Sequence, residues 1–186
     1  MILSNILCAA RVRLTALNTS DPPTLARWYE NTEFSRMFDA LPARPKTEPE
    51  LVQWLEGLHK DKNGFTFAIR PLDDDTLLGT VELDGVLWAH GVSGFGIAIG
   101  DRANWGKGYG SEASQLALTF GFDELNLHRI TATAFSYNTR SIALLEKLGF
   151  RREGAFREFL QRDGKRHDML LYGLLNREWR AARDDV

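Results

Sequence analysis

A glycine-rich run at residues 104–113, Asn-Trp-Gly-Lys-Gly-Tyr-Gly-Ser-Glu-Ala, constrains the fold more than any other part of the sequence. An alternating, strand-like segment ends just before it at Gly100, and a helical pattern follows over residues 110–124. Glycine lets the backbone adopt a positive φ and approach a ligand closely. Because the first N–H groups of a helix lack intrahelical partners, a loop of this kind can hold a phosphate. A tight glycine turn without a ligand is the alternative that this segment leaves open.

Two well-known phosphate loops fit this run poorly. A Walker loop reads Gly-x-x-x-x-Gly-Lys-Ser/Thr, but Gly106-Lys107 is followed by Gly108, and Gly100 lies one residue too far upstream. Gly108-x-Gly110-x-x-Ala113 matches the dinucleotide motif in its Gly/Ala form. That motif also requires an acid about twenty residues further on, at the end of the next strand, to hold a ribose. The strand that ends before Tyr137 supplies no acid there, which disfavours a dinucleotide.

A second motif, residues 138–150, reads Asn-Thr-Arg-Ser-Ile-Ala-Leu-Leu-Glu-Lys-Leu-Gly-Phe. Together the two motifs resemble the acyl-CoA-binding motifs of the GNAT N-acetyltransferase superfamily. That family carries Gln/Arg-x-x-Gly-x-Gly/Ala at the pyrophosphate loop, then Asn-x-x-Ser/Ala leading to Lys-x-Gly-Phe. Trp105 stands where the family usually has Gln or Arg.

Flanking residues resemble one branch of that superfamily, the ribosomal-protein N-terminal acetyltransferases of RimJ/RimL type. The matches are Arg13-Leu14, Trp28, Trp54-Leu55, Glu153-Gly154, Arg157-Glu158, Gly164-Lys165, Asp168-Met169 and Tyr172. The resemblance extends from about residue 11 to residue 180.

The pattern of the whole chain predicts a mixed α/β sheet with helices on both faces, in the order β-α-α-β-β-β-α-β-α-β-β. The predicted strands are residues 11–17, 65–69, 77–88, 93–100, 129–136, 155–161 and 166–175. The first predicted helix begins after the cap residue Asp21 and has Leu25, Trp28 and Tyr29 inward. The other predicted helices cover residues 50–58, 110–124 and 138–148, and Gly149 caps the last of them. A length of 186 residues favours one domain over residues 1–186, and the resemblance implies that it has the GNAT fold.

Composition excludes several function classes. A formal net charge of −2 gives no global attraction to nucleic acid or to an anionic membrane, and no apolar run is long enough to span a bilayer. His59, His128 and His167 lack metal-ligand spacing, so no metal is expected. Cys8 is the only cysteine, which favours a reducing compartment. Residues 1–10 lack the basic start of a signal peptide, so we expect a mature N-terminus and a cytoplasmic protein; a homodimer stays open.

The resemblance implies that acetyl-CoA is the acetyl donor, with its pantetheine arm on the backbone of the strand before the glycine run. The implied cofactor-binding residues are Ile97, Ala98, Ile99, Trp105, Gly106, Lys107, Gly108, Tyr109, Gly110, Ser111, Asn138 and Ser141. The strand that carries the first three is expected to part from the next one and open a V-shaped slot. For two of these residues a structural alternative stays open: Lys107 points to solvent, or Asn138 caps its helix.

Catalysis by direct attack of an amine requires a proton donor for the thiolate and a base for the amine. Many family members carry a donor tyrosine where this chain has Leu145. Ser141, one helical turn earlier, is therefore the candidate donor, with a first-turn structural serine as its alternative and water or Tyr137 as substitutes. Glu82 is the candidate base, with an exposed edge carboxylate as its alternative, and His90 lies in a nearby loop.

The acceptor is the least constrained part of the prediction. An α-amine has a pKa of about 7.7–8.0, against about 10.4 for lysine, so a weak base suffices for it. This favours a protein N-terminal α-amine. A polyamine or another small amine is the alternative, and clustered carboxylates at Glu30, Glu33 and Asp39 would favour the polyamine if they converge on the slot. A catalytically silent acyl-CoA-binding module also stays open, because the tyrosine is absent.

Overall fold

The computed structural model describes residues 5–184, so the predicted N-terminus lies partly outside the described residues. The strands are β1 (Val12–Ala16), β2 (Phe65–Pro71), β3 (Gly79–Leu87), β4 (Val92–Ile99), β5 (Arg129–Phe135), β6 (Arg151–Arg162) and β7 (Lys165–Leu175). They form a seven-stranded sheet in the order β1-β2-β3-β4-β5-β7-β6. Only the central β4–β5 pair is parallel, so the sheet is mixed, as predicted.

Among the described residues, six α-helices accompany the sheet. They are α1 (Pro22–Glu30), α2 (Thr32–Phe38), α3 (Glu48–Lys60), α4 (Tyr109–Thr119), α5 (Thr139–Lys147) and α6 (Asn176–Asp184). A π-helical turn over Phe120–Glu124 follows α4, where the sequence predicts regular helix. No helix among residues 5–184 is long and apolar enough to cross a membrane.

Apolar side chains pack on both faces of the sheet. Alternation along β2 turns Ala68 towards α1 and α3 and the neighbouring Ile69 towards the core beneath α4. Leu25, Trp28 and Tyr29 are buried, as predicted for the first helix. The prediction of a mixed sheet covered on both faces is therefore confirmed.

Helices α2 and α6 are absent from the predicted order, which is wrong at these two points. The chain turns at Asn31, whose backbone is extended and whose side chain accepts a hydrogen bond from the Glu33 backbone N–H at 2.9 Å. This cap starts α2 directly after α1, where the sequence pattern shows a single helix and a loop. Helix α6 is held by Trp179, which packs against Phe122.

Asp21 begins α1 but does not cap it with its side chain, in contrast to the prediction. Its carboxylate accepts two hydrogen bonds from Arg70, at 2.9 and 2.8 Å, and both side chains are buried. Removal of either partner from a buried, bidentate ion pair of this kind strongly destabilises the folded protein. It ties the start of α1 to β2.

Strands β4 and β5 part in the middle of the sheet, as predicted. Their pairing runs from Val92–Arg129 to Phe95–Ala132 and ends there. Strand β4 continues to Ile99 with β3 on its other side, and β5 continues to Phe135 with β7 on its other side. The edge of β4 that faces β5 therefore has no strand partner among the described residues from Gly96 to Ile99. Its backbone groups are free to bind an extended ligand arm.

Candidate active site

Two joined cavities open at the point where β4 and β5 part. The first, which we call the splay cavity, has a volume of about 430 Å³ and lies between the two strands, the end of α2 and the start of α5. The second, the loop cavity, has a volume of about 470 Å³ and continues along β4 to the glycine-rich loop. Both are lined by Met37, Phe38, Ile97, Asn138, Ser141 and Leu144. The two cavities therefore form one continuous slot.

The glycine-rich loop is built as the sequence predicts. Gly106 has a φ of +73° and Gly108, the N-cap of α4, a φ of +85°, a region that glycine enters without steric cost. The Trp105 indole N–H donates to the Ile99 carbonyl at 2.8 Å, which fixes the loop against the end of β4. The first backbone N–H groups of α4 lie at the loop cavity and are available to an anion.

Arg11 braces this loop from outside, a role for which the local sequence gives no signal. Its guanidinium donates to the Lys107 carbonyl at 2.6 Å and to the Glu112 carboxylate at 2.7 Å. Its backbone N–H donates to the same carboxylate at 2.9 Å. The pairing joins the start of the chain to the first turns of α4.

Most of the predicted cofactor-binding residues line the loop cavity. They are Ile97, Ala98, Ile99, Trp105, Gly106, Gly108, Tyr109, Gly110, Ser111, Asn138 and Ser141. Lys107 lines neither cavity and is exposed, so the structure favours its solvent-facing alternative.

Charge is segregated along the slot. The side chains that carry charge in the loop cavity are the cations Arg140 and Lys147, and no carboxylate among the described residues lines it. In the splay cavity the charged residues are the acids Asp39, Glu82 and Asp84, and no lysine, arginine or histidine among the described residues lines it. One end of the slot therefore attracts anions and the other attracts cations.

Glu82 and Asp84 reach the splay cavity across β4. A Cβ on Gly96 would lie 2.7 Å from a Glu82 carboxylate oxygen, and a Cβ on Gly94 would lie 2.1 Å from one of Asp84. Glycine at both positions therefore makes room for the two carboxylates. Burial raises the pKa of Glu82 above its usual value, and the negative charge of Asp84 raises that pKa further. Because β3 is an interior strand and Glu82 is half-buried, the exposed-edge alternative is wrong.

Ser141 lies at the junction of the two cavities and lines both of them. Its backbone N–H donates to Asn138 Oδ1 at 3.1 Å, so Asn138 caps α5. Asn138 Nδ2 also donates to the Met37 carbonyl at 3.1 Å, which joins α5 to α2. The Ser141 hydroxyl makes no hydrogen bond within the described chain, and Leu145 lines the splay cavity nearby without a donor.

The remaining candidates, apart from Asp39, lie away from the slot. The Tyr137 hydroxyl donates to the Arg36 carbonyl at 2.6 Å, and Tyr137 lines neither cavity. His90 is exposed in the turn between β3 and β4. Glu33 is paired with Arg102 at 2.6 Å. Of the three acids considered for a polyamine, Asp39 alone lines a cavity.

Comparison with known proteins identifies the class that this fold and site define. The family model described as an acetyltransferase (GNAT) domain matches residues 11–151. The chain is 32% identical to the N-acetyltransferase YnaD of Bacillus subtilis over 81% of its own length and 87% of that relative. It is 28% identical to the [ribosomal protein uS5]-alanine N-acetyltransferase of Escherichia coli, over 93% and 95% of the two chains.

Solved structures agree on the fold. A GNAT-family acetyltransferase from Bacillus anthracis superposes with a TM-score of 0.78 at 25% identity, over 92% of this chain and 98% of that one. A spermidine N-acetyltransferase from Vibrio cholerae, solved with CoA and spermine, superposes with a TM-score of 0.83 at 23% identity, over 92% and 99%. The chain belongs to the GNAT acetyltransferase family.

As a member of this family, the protein is an N-acetyltransferase that takes its acetyl group from acetyl-CoA. The site suits such a donor, because the loop cavity combines free helix N–H groups, two cations and an unpaired strand edge. Among residues 5–184, no group of three or more His, Cys, Asp or Glu side chains is arranged to hold a metal ion.

Proposed function

We propose that the acceptor is the α-amine at the N-terminus of a protein. The observation that carries this proposal is the acidic splay cavity, which joins the loop cavity at Ser141 and is lined by Asp39, Glu82 and Asp84. An acidic cavity attracts a protonated amine, and an α-amine then needs only a weak base to become nucleophilic. The Escherichia coli relative, whose name gives an alanine of ribosomal protein uS5 as its substrate, supports a ribosomal-protein branch.

In this proposal each end of the slot holds one substrate. The amides of the glycine-rich loop hold the donor's phosphates, and the free edge of β4 at Gly96–Ile99 holds its pantetheine arm. Acetyl-CoA supplies an activated acetyl thioester when it is bound. Glu82 takes a proton from the acceptor nitrogen through a water molecule, a task that its raised pKa suits.

Ser141 acts on the leaving group of the reaction. As the carbon–nitrogen bond forms and the carbon–sulfur bond breaks, Ser141 Oγ gives its proton to the leaving sulfur and regains one from water. The structure supports this role because Ser141 lines both cavities, and because Asn138 rather than the serine caps α5.

We expect Ser141→Ala to lower kcat by roughly 10²-fold or more, the scale of general acid catalysis, with little change in acetyl-CoA affinity. Its melting temperature should stay near that of the wild type, because Asn138 caps α5. Thr139→Ala, in the same first turn but outside both cavities, is the matched control. Steady-state assays of thiol release measure both variants. Near-normal turnover by a folded Ser141→Ala enzyme would remove Ser141 from the mechanism.

A polyamine is the second candidate acceptor, because three carboxylates at one cavity suit a substrate with several ammonium groups. A single assay separates the candidates. Peptides with a free N-terminal alanine or serine, the same peptides acetylated at that amine but carrying an internal lysine, and spermidine are each tested for thiol release and for acetylated product by mass spectrometry. We expect turnover of the free peptides alone. Preferred turnover of spermidine would replace the proposed acceptor.

We also propose that the enzyme works in the cytoplasm, where protein N-termini are made. Cys8 is an exposed free thiol, which is compatible with a reducing compartment.

A further inference from the structure

The guanidinium of Arg140 lies over the aromatic ring of Trp105 at the wall of the loop cavity. The guanidinium carbon of Arg140 lies 4.8 Å from the centre of the Trp105 ring, and both residues line the cavity. Arg140 is exposed and is in none of the ion pairs formed by the described residues. Its charge is therefore not neutralised by the protein.

The ring beneath Arg140 is fixed in place. Trp105 is half-buried, and its indole N–H is bound to the Ile99 carbonyl at 2.8 Å, so the ring cannot turn without breaking that bond. A guanidinium that lies over an aromatic ring keeps the N–H groups at its rim free for hydrogen bonds in its own plane. Trp105 thus holds Arg140 at the cavity and leaves its donors open to a ligand.

A second arginine near the same ring is already committed to a carboxylate. Arg102 lies 5.9 Å from the centre of the Trp105 ring, but it is paired with Glu33 at 2.6 Å and does not line the cavity. Arg102 and Arg140 are therefore a natural matched pair, of which only Arg140 offers its charge to a cavity ligand.

We propose that Arg140, supported by Trp105, binds a phosphate group of the acetyl donor. This inference rests on the proposed use of the loop cavity as the donor site. Arginine suits the role because its planar fork donates paired hydrogen bonds to phosphate oxygens. The donor carries a diphosphate and a 3′-phosphate, and both present this same chemistry.

Direct binding measured by calorimetry tests the proposal on the wild type, Arg140→Gln and Arg102→Gln, with CoA and 3′-dephospho-CoA as ligands. We expect Arg140→Gln to weaken CoA binding by roughly 10- to 100-fold, as expected for loss of a charged hydrogen bond. Arg102→Gln should change it by less than threefold or so, since its charge is already paired. Weakening of both ligands by Arg140→Gln assigns the diphosphate, and weakening of CoA alone assigns the 3′-phosphate. Unchanged binding, or an equal loss in both variants, overturns the proposal.

Two further measurements separate phosphate binding from simple packing. Arg140→Lys retains the charge and should recover part of the lost affinity, whereas a packing role would give Lys and Gln similar losses. Wild-type affinity for CoA should fall as NaCl is added, and Arg140→Gln should show a weaker dependence. An identical salt dependence in the two proteins contradicts the proposal.

The ring's share is measured with Trp105→Phe and Trp105→Leu. Both lose the hydrogen bond to Ile99, but Phe keeps an aromatic face beneath Arg140, so it should bind CoA more tightly than Leu does. Equal affinities in the two variants would overturn the ring's role. If the wild type itself binds no CoA, the donor-site assignment fails with the proposal. If it binds CoA and Arg140→Gln binds equally well, only the role of Arg140 fails.

Discussion

A Gly110→Val enzyme should fold as the wild type does and lose its affinity for acetyl-CoA by at least about 100-fold, or about 2.8 kcal/mol. Gly110 lies in the first turn of α4 and its φ is not positive, so a side chain meets no backbone penalty there. A Cβ would lie 3.6 Å from Ile99 Cγ1 and 3.8 Å from Ile97 Cδ1, which is ordinary contact. The valine methyl groups would then extend into the loop cavity that Gly110 lines.

Gly108 would give a less direct test. Its φ of +85° penalises any other residue, and an added Cβ would lie 2.4 Å from an Arg11 guanidinium nitrogen. The valine side chain in Gly108→Val would therefore displace the Arg11 guanidinium and strain the backbone, in addition to filling the cavity. Gly110→Val isolates the filling of the cavity.

Thermal unfolding with and without ligand measures the effect of Gly110→Val. Acetyl-CoA at a hundred times its Kd should stabilise the wild type by about 2.7 kcal/mol, and NADH should not stabilise it. Gly154→Val is the matched control, since Gly154 lies in β6 with Leu171 Cδ1 at 3.7 Å from an added Cβ. A folded Gly110→Val enzyme with unchanged acetyl-CoA affinity would contradict the assignment of the loop cavity.

The glycine-rich loop could be predicted because the signals that build it are local. Gly106 and Gly108 take the positive φ for which glycine is suited, and the turn leads directly into α4. The prediction that β4 and β5 part came from the family resemblance and not from a local signal. Helix α2 shows the limit of such reading: its seven residues give too short a periodic signal, and its start depends on the extended backbone of Asn31.

Residues brought together by long-range packing gave no such signal. Arg11 reaches Lys107 and Glu112 only because β1 and α4 are neighbours in the fold. Asp84 joins Glu82 at the splay cavity only through the register of β3 with β4, which sets glycines opposite both acids. Arg140 could be read as a helix residue, but its place over Trp105 depends on how α5 packs beside the loop. The splay cavity was therefore predicted less completely than the loop cavity.

Replacement of the proposed base, Glu82→Gln, should lower kcat/KM by about 10²- to 10⁴-fold, the range for loss of a general base. Glu82 must be ionised to accept a proton, so wild-type activity should fall as the pH drops through its pKa. Burial and the charge of Asp84 raise that pKa, which places this fall above the ordinary glutamate value of about 4.3. Asp84→Asn is the control: it keeps the base but removes the neighbouring charge, so the fall in activity should move to lower pH.

Glu82→Gln should also stabilise the fold, and this stabilisation distinguishes loss of a base from loss of structure. Because the pKa of Glu82 is raised on folding, the folded state binds more protons than the unfolded state between the two pKa values. Stability therefore falls as the pH rises through this window, and the ionised carboxylate opposes folding above it. Glutamine carries no charge, so Glu82→Gln should melt at a higher temperature than the wild type at pH 7 or so, and the difference should shrink towards about pH 4. A Glu82→Gln enzyme that is folded, more stable and inactive fits a buried base. One that retains normal turnover at neutral pH would show that the amine loses its proton to another group.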